Sequence, residues 1–256
     1  MSRGHISRRS RWVGPLELLL LLFMSWPEIA RGDEVVADLS SHLIAISSGF
    51  TGASVVLFGT TDGPGDIVAV VRGPEREMTV WRKGKAAGIW LNAESVTFAN
   101  VPSFYSVVAS RPLDDIVSPG IAALYRIGPG NLKFDVRGAV PPERAKRFSD
   151  ALIRTQQRNG LFGAATGKIS FLGERLFRSV LIFPANVPTG TYLVEVFLVR
   201  NHDVVGGQTT PLVVSKVGVD AALSDFATRQ SAAYGGIAVL TAVVAGWLAS
   251  LPFRGA

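Results

Sequence analysis

The sequence predicts a mainly β protein, in which an immunoglobulin-like β-sandwich with one amphipathic helix is followed by a single C-terminal transmembrane helix. Short segments rich in Val, Ile, Phe and Thr recur at intervals of about ten residues, with Gly, Pro and Asp between them. This spacing is typical of a sandwich. In addition, an uncharged run of 22 residues, Ala232–Phe253, precedes Arg254. As a helix it would be about 33 Å long, enough to cross a bilayer core of roughly 30 Å.

The N-terminus has the composition of a signal peptide. Four arginines between Arg3 and Arg11 precede the apolar stretch Leu18–Trp26, and Ala30 and Gly32 supply small residues for cleavage before Asp33. Residues 1–32 are therefore predicted to be a signal peptide. An uncleaved anchor remains the alternative, because Glu17 makes the apolar region atypical.

Export of the chain would place residues 33–229 in the periplasm as a β-rich ectodomain. The helix at residues 232–253 would then cross the inner membrane once and leave the C-terminus in the cytoplasm. The arginines that flank the helix nearly balance, so the leader alone supports this orientation.

Strands are expected throughout the ectodomain, and the segment Asp62–Asp66 (DGPGD) is expected to be a hairpin tip in which glycines adopt positive φ. The predicted strands are Leu43–Ser47, Ala53–Thr60, Asp66–Arg72, Met78–Arg82, Glu94–Ala99, Phe104–Ser110, Lys168–Leu172, Leu176–Phe183, Thr191–Arg200 and Pro211–Lys216. The stretch LVEVFLV within Thr191–Arg200 alternates only in part, which indicates burial on both faces.

Two further patterns refine the fold. Pro141-Pro142, an apolar face that includes Phe148 and Leu152, and Gly160 predict a helix at about residues 142–159. Tyr192, after a Pro-Thr-Gly-Thr turn, is expected to bond backward through its hydroxyl group, as in the corner of an immunoglobulin-like domain. The sequence leaves open whether there is one elaborated sandwich or two small units that meet near residues 112–140.

Composition excludes several classes of function. The formal charge is +6, but residues 33–229 hold 20 Lys and Arg against 18 Asp and Glu, so no nucleic-acid-binding face is expected. The chain has no cysteine. His42 and His202 lack metal-ligand spacing, and no nucleophile motif is present. We therefore predict no enzyme activity, no catalytic residue, no cofactor and no metal.

The densest basic and aromatic cluster is the candidate binding site, formed by Arg82, Lys83 and Lys85 together with Trp81. Such a cluster can contact anionic lipid headgroups or an acidic ligand. The alternative is a solvated hairpin turn whose tryptophans, Trp81 and Trp90, lie in the core.

Small residues recur at every fourth position of the C-terminal run, at Ala238, Ala242, Gly246 and Ser250. Stripes of this kind let two membrane helices approach closely. They are the candidate packing residues for a membrane-protein partner or for a homodimer.

Five blocks along the chain together resemble a known family: residues 58–74 (FGTTDGPGDIVAVVRGP), 81–92, 101–113, 175–200 and 234–249. In this order they are similar to the alphaproteobacterial putative transmembrane protein family, whose members have about 250 residues and no established function. The resemblance implies a signal peptide, a periplasmic β-rich domain and one C-terminal span. It also implies an accessory role beside a permease of the sulfite-exporter type.

Two functions follow as hypotheses. The first is a membrane-anchored periplasmic accessory or interaction protein, with a permease as its partner. The alternative is a membrane-tethered domain that binds or senses a small anion through Arg82, Lys83 and Lys85. Neither the specific partner nor the ligand follows from the sequence.

Overall fold

The computed structural model describes residues 35–86, 89–217 and 231–250. The predicted signal peptide and the last three residues of the uncharged C-terminal run lie outside the described residues. The strands are β1 (Val35–Leu39), β2 (Leu43–Ile46), β3 (Gly52–Thr61), β4 (Asp66–Arg72), β5 (Glu75–Ala86), β6 (Ile89–Pro102), β7 (Tyr105–Ala109), β8 (Asp135–Val136), β9 (Gly167–Lys168), β10 (Ser170–Leu172), β11 (Leu176–Pro184), β12 (Gly190–Arg200) and β13 (Asp203–Lys216). The helices are α1 (Leu113–Ile116), α2 (Pro119–Leu124), α3 (Pro142–Arg158) and α4 (Ser231–Ser250), with a 3-10 turn at Pro129–Asn131.

The strands form three sheets. The outer sheet has the antiparallel order β1-β3-β11-β10, and the central sheet has the order β2-β13-β12-β4-β7-β9, in which β2 and β9 run parallel to their neighbours. The third, the hairpin sheet, consists of β5, β6 and the short β8. Both large sheets contain strands from either side of residues 112–140, so this segment lies inside a single sandwich.

The central sheet is buried on both faces along β4, whose sequence IVAVV is apolar at every position. Because successive side chains of a strand point to opposite faces, Ile67, Ala69 and Val71 enter one core while Val68 and Val70 enter a second. In β12, Val194 and Val196 likewise face the first core, and Phe197 and Val199 face the second. The predicted two-sided burial of this strand is confirmed.

The first core lies between the outer and central sheets and makes the protein a β-sandwich. Leu57 and Phe177 of the outer sheet are fully buried against Val194 and Leu212 of the central sheet. The Gln208 side chain of β13 joins the sheets at one edge, since its amide donates to Ala37 O at 2.9 Å and accepts from Ala37 N at 2.8 Å. The mainly β sandwich expected from the sequence is thus present.

The second core forms a third layer on the other face of the central sheet. The proximal part of the β5–β6 hairpin covers β4 and β7 there, together with the segment α1–α3. Helix α3 has the predicted position: it spans Pro142–Arg158, buries Phe148 and Leu152, and is followed by Gly160 at φ +72°.

One expectation about a turn was wrong. Asp62–Asp66 does not join two strands of one sheet, because β3 belongs to the outer sheet and β4 to the central sheet. Its glycines are not at positive φ. Instead, a side chain at Gly65 would approach Leu198 Cδ1 to 2.7 Å, so the glycine permits close packing of the crossing between the sheets.

The C-terminal run forms helix α4 over 20 residues. No helix among the described residues has the combined length and apolar character that mark a membrane span.

Candidate functional site

The candidate site is the distal part of the β5–β6 hairpin. The RKGK segment is not a turn, because β5 continues through it to Ala86, and β6 begins at Ile89. Register assigns the cross-strand neighbours Trp81 to Ser95, Lys83 to Asn92 and Lys85 to Trp90. The register shifts between Arg82 and Lys83, next to Gly84. A glycine is needed there, because a Cβ atom would come within 2.7 Å of Ala93 Cβ.

One face of this hairpin collects the aromatic and basic side chains. Residues two apart in a strand share a face, so Trp81, Lys83 and Lys85 project together, with Trp90 directly across from Lys85. We call these four residues the basic-aromatic face. It lies opposite the side on which Met78 and Val80 pack against the second core.

Both tryptophans are open to solvent, at 56% for Trp81 and 65% for Trp90. The expectation that they lie in the core was wrong. Neither lysine of the face has an ion-pair partner among the described residues, and no carboxylate shares the face between Thr79 and Lys85. The surface is therefore cationic and aromatic, a composition suited to contact with an anionic or polar partner surface.

The structure separates Arg82 from the other predicted binding residues. Arg82 projects from the opposite face of the hairpin and donates to Glu94 Oε1 at 2.7 Å, so its charge is locally neutralised. The predicted cluster is thus three residues on one face and one on the other.

A cavity of about 190 Å³ lies at the base of the hairpin rather than beside its lysines. Three cationic side chains, Arg72, Arg126 and Lys133, and one carboxylate, Glu75, line it together with Leu132 and Phe134. Arg72 donates to Tyr125 O at 2.6 Å and forms an ion pair with Glu195. Its Nε is buried without an acceptor among the described residues. Burial lowers the pKa of Arg72, and the Arg126 charge acts in the same direction.

The wall of this cavity is fixed by Tyr105. Its hydroxyl group donates to Arg126 O at 2.7 Å and accepts from Gly128 N at 2.8 Å. Burial raises the pKa of Tyr105 to about 12, so the phenol stays protonated and can keep donating. These bonds hold Arg126 in a left-handed conformation with φ 52°.

A wider cavity of about 600 Å³ opens at the other end of β4, between Asp66, Arg111 and His202. Asp66 and Arg111, which both line it, form an ion pair. His202 lies in the two-residue turn after β12, where it and Asn201 have positive φ, and His42 lies 2.8 Å from Asp38 Oδ1. No group of three metal-ligating side chains occurs among the described residues.

Helix α4 carries the predicted small-residue stripe. Ala242 and Gly246 are exposed on it, whereas the side chains of Ala238 and Ser250 lie outside the described residues. Large apolar side chains are also exposed, among them Leu240 at 67% and Val243 at 66%.

The sequence did not predict the roles of Arg72, Glu195 and Tyr105. Arg72 and Glu195 are 123 positions apart, and no local pattern links them. A signal for the basic-aromatic face did exist: once residues 81–85 are assigned to a strand, alternation alone puts Trp81 on the side of the lysines.

The comparison with protein families agrees with the resemblance found in the sequence. A family described as a putative transmembrane protein of alphaproteobacterial type matches residues 34–255, which is most of the chain. No curated protein matches this chain. The chain therefore belongs to the alphaproteobacterial putative transmembrane protein family.

Proposed function

We propose that this protein is a membrane-anchored accessory protein that binds a membrane partner. Its ectodomain would lie in the periplasm and its C-terminus in the cytoplasm. The observation that carries the proposal is the basic-aromatic face, which exposes two tryptophans on a long hairpin. Tryptophan is one of the three residue types, with tyrosine and arginine, that are enriched among the side chains that dominate binding energy at protein interfaces.

The C-terminal segment supplies the anchor in this proposal. Ala232–Phe253 is uncharged, and the family is described as transmembrane. The exposed Ala242 and Gly246 would let a partner helix approach closely inside the bilayer. We propose a permease as the partner, as the family resemblance implies. The proposal also includes a signal peptide at the N-terminus and an immunoglobulin-like fold for the sandwich. The Tyr192 hydroxyl, which donates to Pro188 O at 2.6 Å, supports that fold.

The test is purification of the tagged full-length protein from its native membrane in mild detergent, with mass spectrometry of what accompanies it. We expect a stoichiometric integral membrane protein. The pair Trp81→Ala and Trp90→Ala should reduce its recovery at least tenfold, and so should Ala242→Leu with Gly246→Leu.

Matched controls separate binding from general damage. Val244→Leu changes the same helix on the side opposite the stripe, and Thr209→Ala changes an exposed strand residue away from the hairpin. Both should retain the partner. Equal recovery from all the variants, or a clean protein without companions, would contradict the proposal.

The second candidate function is a tethered domain that binds a small anion. The cavity lined by Arg72, Arg126 and Lys133 favours it, because these three cations outnumber its one carboxylate, Glu75. In addition, Arg72 Nε is buried without an acceptor among the described residues. Lys83 and Lys85, the residues first expected to bind the anion, do not line this cavity.

Thermal unfolding in 10 to 100 mM sulfite, sulfate or acetate tests this second function, since a ligand of the folded state raises the midpoint. We expect stabilisation by one of these anions, abolished by Lys133→Gln and kept by Lys146→Gln, an exposed lysine on α3. Identical midpoints in all the salts at matched ionic strength would contradict it.

A further inference from the structure

The outer sheet has one face in the first core and the other face open, and more than half of the open face is apolar. Its exposed side chains include Phe58 at 41%, Val180 at 47% and Ile182 at 73%. Val36, Leu172 and Leu176 are exposed on the same face. The open face therefore carries more large apolar side chains than the polar outer face of a half-buried sheet usually does.

Register orders this face into rows. In one row Asp38, Phe58, Arg178 and Ser170 are adjacent cross-strand neighbours. The next row on this face contains Val36, Thr60, Leu176 and Leu172. On the other side of the Phe58 row, Val56 lies opposite Val180. Phe58 therefore lies between Asp38 on one side and Arg178 on the other, with apolar side chains in the rows next to it.

The two charges do not neutralise each other within one molecule. They are separated by the width of β3, about 9–10 Å for two strand spacings. Arg178 forms no ion pair with any residue that the structure describes, and Asp38 uses only Oδ1, toward Leu39 N and His42 Nε2. An arginine without an acceptor among exposed apolar side chains needs an anionic partner if this face is covered.

A second copy of the chain supplies that partner. Consider a twofold axis that runs parallel to β3, above Phe58. Rotation about it exchanges the two sides of β3, so that Asp38 of each copy lies opposite Arg178 of the other. The same operation places Phe58 against Phe58 and Val36 against Leu176. Sheets packed in this way lie about 10 Å apart. Charge and apolar character are therefore both self-complementary, as an isologous interface requires.

The size of the face fits a weak dimer. With the axis along β3, β3 lies against β3 and β1 lies against β11, while β10 extends beyond the partner's sheet. Strands of 5, 10 and 9 residues at about 3.3 Å per residue and about 4.8 Å per strand give on the order of 400 Å² per copy, or about 800 Å² in total. That is the size of a weak, reversible interface rather than of a standard one.

We propose that the protein forms a twofold dimer through the open face of the outer sheet, with Asp38 and Arg178 paired between copies. The dimer does not depend on the proposed partner, because the hairpin and helix α4 are not part of this face.

The test uses the absence of cysteine from the chain. In full-length protein in detergent, Phe58→Cys should form a disulfide-linked dimer under mild oxidation, whereas Thr209→Cys on the central sheet should not. Light scattering of the unmodified protein should give a mass that rises toward that of two chains as the protein concentration increases. The Phe58→Cys dimer should also form when Ala242→Leu and Gly246→Leu are present, which separates it from contact between helices.

Charge reversal then tests the specific geometry. Asp38→Arg alone and Arg178→Asp alone place like charges opposite each other and should reduce cross-linking at Phe58→Cys at least fivefold. The two reversals combined should restore it, and both positions are exposed, so folding is retained. Failure of the combined variant to restore the dimer, a monomeric mass at every concentration, or a cross-link to a different protein would overturn the proposal.

Discussion

Strand β4 and the distal β5–β6 hairpin are close neighbours in the chain but have opposite relations to solvent. All five central residues of β4 are buried, and they supply both cores. The hairpin beyond Val80 exposes two tryptophans and two lysines on one face. Large apolar side chains therefore stabilise this protein in one region and present a surface in the other, and residue type alone does not tell which.

The largest effect is expected at the centre of β4. Ile67→Ala removes a side chain with no exposed surface and leaves a cavity in the first core, which should cost about 3 kcal/mol of unfolding free energy. Urea denaturation of the full-length protein in detergent measures it. Ile67→Val should cost about 1 kcal/mol, and equal values for the two variants would mean that the site collapses around the smaller side chain.

At the C-terminal end of β4, Glu195→Ala should cost about 2–3 kcal/mol, because it leaves the largely buried Arg72 guanidinium without its counter-ion. Combined replacement, Arg72→Leu with Glu195→Leu, should recover much of the loss, since no uncompensated charge then remains. Urea denaturation of the single and double variants measures both losses. If the double variant is as unstable as Glu195→Ala, the pair contributes by packing rather than by charge.

At the N-terminal end of β4, a smaller effect depends on pH. Hydrogen bonds from Arg111, assisted by Ser110, hold the pKa of Asp66 below its usual value against the opposing effect of burial. A carboxyl group whose pKa is lowered by folding contributes stability above its unfolded pKa of about 3.9 and loses it as pH falls through the folded pKa.

Asp66→Asn should therefore lower stability at pH 7 and cost less as the pH falls below about 4. The pair is partly exposed, so the loss at pH 7 should stay below about 1 kcal/mol. Unfolding midpoints between pH 2.5 and 7 measure the difference. If the midpoints of Asp66→Asn and the unmodified protein differ more at low pH than at pH 7, folding does not lower the pKa of Asp66.

The smallest effect on stability is expected in the hairpin. Trp81→Ala or Trp90→Ala removes more atoms than Ile67→Ala but should change the unfolding free energy by less than about 0.5 kcal/mol, because both rings are more than half exposed. Partner recovery should fall nevertheless. A stability loss comparable to that of Ile67→Ala would remove the distinction between the two regions.

Local patterns predicted much of the fold. The period of two and the turn residues located most strands, Pro142 and Gly160 bounded α3 correctly, and the Tyr192 hydroxyl makes the expected backward bond. These features depend on neighbours in sequence. Strand β1 was missed, because Val35–Leu39 is a short strand close to the predicted leader.

Features set by distant residues were not predictable in the same way. The glycines of Asp62–Asp66 are compatible both with a hairpin tip and with a connection that crosses from one sheet to the other. The segment is a crossing because β3 and β4 belong to different sheets. The cavity at the hairpin base requires Arg72, Arg126 and Lys133 to meet, and their spacing in the chain contains no sign of this.

The sequence by itself determined the mainly β class, the long amphipathic helix and the apolar C-terminal helix, because backbone geometry and local alternation of side chains specify them. Only the tertiary structure decided which apolar side chains are buried. Burial depends on which sheet face meets another layer, and residues far apart in the chain make that choice. For this reason Trp81 and Phe58 are exposed while Ile67 and Leu57 are not.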